Sequence, residues 1–144
     1  MIAHRGAWKN KNLPQNSIAS LKAAIALGCV GSETDVHLTT DNFLVINHDN
    51  EWNGLVIQKN TLNDLRKKNL SNGETLPLLH DFLKIIREQN GTKLMLEIKS
   101  SVRGKVWADS TVLKAVNLGH QMEVQKWIVY ISFDYEMLKE ILRL

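Results

Sequence analysis

Cys29 is the only cysteine in a chain of 144 residues, which excludes an intrachain disulfide and a cysteine-based zinc site and leaves the redox compartment open. Long apolar runs are missing too. No stretch approaches the ~20 apolar residues that a membrane span requires, and no charged-then-apolar leader precedes the first expected strand. There is no internal repeat beyond strand–helix alternation, no low-complexity tract and no interdomain linker. Clustered positive charge is scarce: Lys9/Lys11 and Arg66-Lys67-Lys68 lie in polar surroundings without interleaved aromatic residues, so they read as solvated faces and give no support to nucleic-acid binding. With 44% apolar residues, 23% charged residues and a net charge of +3, the composition is that of an ordinary soluble globular sequence, one domain in extent.

The apolar periodicity alternates between strand and helix. Ile2-Ala3 reads as the tail of a strand, and residues 16–27 as a helix capped by Asn16 or Ser17 and stopped by Gly28. Residues 32–38 and 43–46 read as strands separated by the turn-like Thr40-Asp41-Asn42. A polar stretch, 49–60, leads to a short helix capped by Thr61, and a longer one begins near Thr75 and Pro77 and stops at Asn90-Gly91. Residues 93–98 form a further strand, 109–118 a helix stopped by Gly119, 127–131 a fifth strand, and Asp134 caps a last helix. This order implies an α/β fold with a mainly parallel sheet. The span between Asp35 and His48 is too short for a crossover helix. We favour an irregular return over a hairpin there, because it puts His48 at the same end of the sheet as Asp35.

Ionisable residues collect where the strands end: His4-Arg5, Glu33 and Asp35, His48, then Glu97 and Lys99. In a closed parallel barrel these ends converge on one face, where barrel enzymes place their active sites. Glu33/Asp35 and Glu97/Lys99 are i, i+2 pairs, so each pair points to one side of its strand. Three converging carboxylates repel one another unless a cation joins them, and all-oxygen ligation suits Mg²⁺ or Ca²⁺.

The strings Ile2-Ala3-His4-Arg5-Gly6, Leu13-Pro14-Gln15-Asn16-Ser17, Glu33-Thr34-Asp35-Val36-His37-Leu38-Thr39-Thr40-Asp41, Asn47-His48-Asp49 and Leu96-Glu97-Ile98-Lys99 follow one another in order. Together they resemble the successive signatures of the glycerophosphodiester phosphodiesterase family, with Ser132-Phe133-Asp134 resembling a weaker one. The resemblance implies a TIM-type (β/α)8 barrel that hydrolyses glycerophosphodiesters to glycerol 3-phosphate and an alcohol with one divalent cation, Mg²⁺ or Ca²⁺. On this chain it implies Glu33, Asp35 and Glu97 as metal ligands, His4 and His48 as the acid/base pair, and Arg5 and Lys99 as phosphate contacts. Two departures stand out: Gln15 replaces the family's usual Glu, and the stretch 50–59 lacks its usual Arg-Thr pattern, leaving substrate contacts there unassigned. The alternatives are a phospholipase D-like cyclising phosphodiesterase, and an inactive fragment or binding module of the same fold.

Five strands are expected in this chain, whereas an eight-stranded barrel takes ~250 residues. The expectation is therefore an incomplete barrel, residues 1–144 being one domain truncated at its C-terminal side, completed by a missing segment or by an oligomeric partner, with no membrane span. Met1 leads almost directly into the first motif, so upstream residues are expected as well. The sequence leaves localisation open: the expectation is cytoplasmic for the chain as written, and secreted or periplasmic if a leader lies upstream.

Overall fold

Local chemistry starts and stops most elements where the sequence places them. In the computed structural model, which describes residues 1–144, β1 (Ile2–Ala3) is followed by α1 (Ile18–Ala26). Ser17 caps α1 by accepting the Ser20 N–H at 3.0 Å, and the Ser20 hydroxyl accepts the Ser17 N–H at 3.1 Å. Glu74, distant in sequence, accepts the Ile18 and Ala19 N–H groups at 2.8 and 3.1 Å, placing a carboxylate where the helix dipole favours it. Gly28, at φ +66°, ends the helix in the left-handed conformation that an L side chain resists. The chain continues through β2 (Gly31–Leu38), β3 (Leu44–Ile46), β4 (Glu51–Trp52), β5 (Leu55–Val56), α2 (Leu62–Leu65) and α3 (Leu79–Arg87), then β6 (Lys93–Ile98), α4 (Lys105–Gln121), β7 (Ile128–Ile131) and α5 (Tyr135–Ile141).

The main sheet has the order β1-β2-β6-β7, all parallel, with β3 paired to β2. Each parallel strand lies beside its predecessor, a one-way stepping that puts the crossover helices on one face, as in barrels. That face is the main core: Val36, Leu38, Leu94, Leu96 and Ile98 pack against Leu21, Phe82, Leu83, Ile86, Val112 and Val116. Each such fully buried side chain contributes roughly 1.5–3 kcal/mol. Strand alternation sends Glu33, Asp35 and Glu97 to the opposite face. Among the described residues the sheet is open, with β1 and β7 at its edges. No helix among the described residues is long and apolar enough to cross a membrane.

Several sequence expectations need correction. The span after Asp35 does form a hairpin: β3 runs antiparallel to β2, with Val36 opposite Ile46 and Leu38 opposite Leu44. The hairpin nevertheless returns the chain to the height of Asp35, whose carbonyl accepts the Asn47 N–H at 3.1 Å, because β2 overshoots the site before turning. Of the five expected strands only four are therefore parallel. The stretch 49–60 is also less irregular than expected, since β4 and β5 form a small ribbon around Asn53 and Gly54, both at positive φ. Gly119 does not stop a helix; it lies inside α4, where a Cβ would come 2.7 Å from the Tyr130 hydroxyl oxygen.

Candidate active site

Asp35 and Glu97 are register partners on β2 and β6, and Glu33 lies two residues before Asp35 on the same side of its strand. One oxygen from each of the three lies within 4.8 Å of the others. Their exposures are 8% for Glu33, 0% for Asp35 and 8% for Glu97, so water screens little of their repulsion. Burial, reinforced by the neighbouring charges of Asp35 and Glu97, pushes the Glu33 carboxyl up to about 7. Its Oε1 is buried without a hydrogen-bond partner among the described residues. A buried, mutually repelling set of oxygen donors, one of them without a partner, fits a hard divalent cation.

Lys99 partly offsets this charge. Its Nζ lies 2.8 Å from Glu97 Oε1 and 3.3 Å from Asp35 Oδ1. Burial opposes its ammonium, but the hydrogen bond to Glu97 and the charges of both carboxylates outweigh that and hold it above the ordinary lysine value. Asn16, read from sequence only as a possible helix cap, proves to be part of the site. It is buried at φ +54°, its Nδ2 donates to Asp35 Oδ2 at 2.9 Å, and its Oδ1 accepts from the Thr34 hydroxyl at 2.8 Å. The signal available in the sequence was its place in the Pro14-Gln15-Asn16-Ser17 string.

His4 and Arg5 follow β1. The Arg5 N–H donates to Glu33 Oε2 at 2.9 Å, its Nη1 donates to Gln15 Oε1 at 3.0 Å, and its Nε is buried without a partner among the described residues. Gln15 thus still supplies an acceptor where the family usually carries a carboxylate. His4 Nε2 stands 3.7 Å from Glu33 Oε2, and its side chain is 70% exposed. Arg5 has φ +57° and Gly6 φ +82°. A Cβ on Gly6 would clash with Ser20 Oγ and come 2.8 Å from the Ser20 carbonyl carbon. Gly6→Ala is therefore expected to cost about 2–4 kcal/mol in urea unfolding and to displace Arg5 from Glu33.

His48 follows Asn47 at the same end of the sheet, half-buried, with Nδ1 2.7 Å from Asp49 Oδ1. The structure thus gathers Arg5, Glu33, Asp35, Glu97 and Lys99 through direct contacts, sets His4 beside Glu33, and places His48 at the same end of the sheet. The other histidines stand apart: His37 is fully buried, and burial lowers it to about 4, while His80 and His120 are exposed. Trp8 donates its indole N–H to the His4 carbonyl at 3.2 Å. Cleft size does not single out the site: a 360 Å³ cleft lined by His4, Gly6 and Trp8 is matched in volume by one lined by Phe43, His80, Lys114 and Gln121 between the β2–β3 turn, α3 and α4.

A family model described as the glycerophosphoryl diester phosphodiesterase family matches residues 4–142. The chain is 30% identical to a glycerophosphodiester phosphodiesterase of Caldanaerobacter subterraneus, over 98% of this chain and 60% of that protein. It is similar to the crystal structure of a glycerophosphodiester phosphodiesterase from Parabacteroides distasonis, with a TM-score of 0.94 and 42% identity over 99% of this chain and 59% of that one. An Oleispira antarctica phosphodiesterase, solved in complex with the product sn-glycerol-3-phosphate, matches with a TM-score of 0.86 and 29% identity over 99% of this chain and 61% of that one. This chain therefore spans about 60% of the length of these relatives.

Proposed function

Because this chain belongs to the glycerophosphoryl diester phosphodiesterase family, we propose that it serves the metal-dependent hydrolysis of glycerophosphodiesters to glycerol 3-phosphate and an alcohol. The observation that carries this reading is the buried carboxylate trio of Glu33, Asp35 and Glu97, whose oxygens lie within 4.8 Å of one another. These residues would hold one Mg²⁺ or Ca²⁺, which when bound supplies positive charge against the phosphoryl oxygens. Arg5 offers a planar fork that can grip two of those oxygens, and Lys99 adds a mobile point charge. Both are preorganised, one by Gln15 and the other by Glu97, so little reorientation is needed as charge develops.

His4 and His48 are the proton carriers in this reading. A carboxylate only accepts, so the contact between Asp49 and Nδ1 of His48 leaves the proton on Nδ1 and the lone pair on Nε2 in the neutral ring. That tautomer suits His48 to take a proton from the attacking hydroxyl, with His4 protonating the leaving alkoxide. The Oleispira relative's complex with sn-glycerol-3-phosphate supports the product assignment.

Residues 1–144 act here as one domain whose open edges, β1 and β7, are covered in the working enzyme by a second copy or by further polypeptide. Alone they are expected to self-associate and to turn over little substrate. A stable, fully active monomer in sedimentation and activity measurements would refute this. The function itself is tested on the completed enzyme, with both sheet edges covered, by following glycerophosphocholine with ³¹P NMR. Glycerol 3-phosphate should form, cease on chelation and return with Mg²⁺ or Ca²⁺. A cyclic phosphate as end product would instead identify a cyclising enzyme, and turnover indifferent to chelator would exclude the metal-dependent reading.

A further inference from the structure

Lys99 is the first residue beyond β6, and the residues after it, up to Gly104, have neither strand nor helix to hold them. They are fastened instead by one residue from a distant segment. Gln58, between β5 and α2, is 2% exposed. Its Nε2 donates to the Ser100 carbonyl at 3.3 Å, and its Oε1 accepts from the Ser101 hydroxyl and the Val102 N–H, both at 3.1 Å. Its own carbonyl accepts from Arg103 Nη1 at 3.1 Å. Four consecutive residues of one loop thus end on a single glutamine. Nε2 also lies 3.5 Å from Nδ1 of the buried His37, which stands two residues past Asp35 on the same side of β2. The far side of the loop is held as well, because the Arg103 guanidinium stacks 3.7 Å from the centroid of the Trp107 ring.

We infer that Gln58 is a positioning residue for Lys99, fixing the loop that aims the ammonium toward Asp35, Glu97 and the substrate phosphoryl group. The phosphoryl part of this rests on the function proposed above. A lysine side chain has four rotatable carbon–carbon bonds between Cα and Cε, so the direction of its charge depends on how rigidly its Cα and the following peptide are held. Gln58 supplies that rigidity by satisfying both polar ends of its amide on the loop, which also removes the cost of burying an unpaired amide. A stretch whose sequence shows no family pattern, 50–59, thereby gains a catalytic consequence.

The test is a double-mutant cycle on the protein, with Gln58→Leu, Lys99→Met and the double variant. Gln58→Leu should lower kcat ~10-fold or more while KM for glycerophosphocholine stays within about twofold, in the range seen for residues that orient a functional group. In the Lys99→Met background the same change should cost less than about twofold, because its effect passes through a side chain no longer present. Independent, additive losses would overturn the inference. A second measurement does not depend on turnover: the ¹H–¹³C signal of the Lys99 ε-methylene, assigned by its loss in Lys99→Met, should move toward those of exposed lysines in Gln58→Leu. An unmoved signal would also overturn it. If Gln58→Leu fails to fold, Ser101→Ala, which removes one bond from the loop side, should give a smaller shift in the same direction, and no shift there would count against the inference.

Discussion

Glu33→Gln is expected to stabilise the metal-free fold at pH 8 while abolishing metal-dependent turnover. The wild-type carboxyl is raised from 4.5 to about 7, by burial first and then by the charges of Asp35 and Glu97. Between those values the folded state holds a proton that the unfolded state has released. Stability from this group is therefore fully present below about pH 4.5 and is lost as pH rises through 7. A shift of that size corresponds to about 3 kcal/mol by pH 8. Glutamine has nearly the same shape, keeps an acceptor for the Arg5 N–H and carries no charge, so it escapes the loss. The thermal midpoint of metal-free Glu33→Gln should lie roughly 5–10 °C above wild type at pH 8 and close to it at pH 4.5. Turnover should fall at least ~10³-fold, about 4 kcal/mol of transition-state stabilisation. Calorimetric melting at the two pH values checks the first claim, and a midpoint below wild type at pH 8 would contradict the electrostatic origin of the strain.

His48→Ala and Glu97→Ala should part company in a way that separates proton transfer from metal binding. Removing the imidazole is expected to lower kcat ~10²–10⁴-fold, the range for general acid–base catalysis, with metal affinity changed less than about twofold. The half-buried ring contacts Asp49 and no member of the carboxylate trio among the described residues. Glu97→Ala removes a donor oxygen and the partner of Lys99 at 2.8 Å. Metal affinity should then weaken at least ~100-fold and turnover fall with it. Titration calorimetry with Mg²⁺ and Ca²⁺, beside kcat for each variant, reads both quantities. Equal metal affinity in wild type and Glu97→Ala would remove that residue from the ligand set.

Much of this was legible in the sequence, and most of what was not depends on contacts between distant segments. Caps are local, so Ser17, Gly28 and Asp134 could be read directly; Asp134 indeed accepts the Glu136 and Met137 N–H groups. The carboxylate trio was legible because strand alternation fixes which side i and i+2 occupy. The β2–β3 hairpin was misread because nothing in the sequence tells how far a strand overshoots the site before turning. Gly119 was misread because its reason is the Tyr130 phenol packed against it, a contact between α4 and β7. Asn53-Gly54 was a turn signal passed over in a polar stretch. The Thr39-Thr40-Asp41 string serves the fold, since Asp41 accepts from the Thr39 hydroxyl at 2.6 Å and from the Leu62 N–H at 3.0 Å, tying the hairpin to α2. Gln58 was invisible because its partners in the loop after β6 lie more than forty positions away.

The most direct measurement is anomalous X-ray scattering from crystals of the protein grown with Mn²⁺, a scatterer that also takes oxygen ligands. One strong peak is expected among the carboxylate oxygens of Glu33, Asp35 and Glu97, and it should vanish in Glu33→Gln. Saturating Mn²⁺ that gives no peak there, with Lys99 still bridging Asp35 and Glu97, would contradict the assignment of these carboxylates as the metal site.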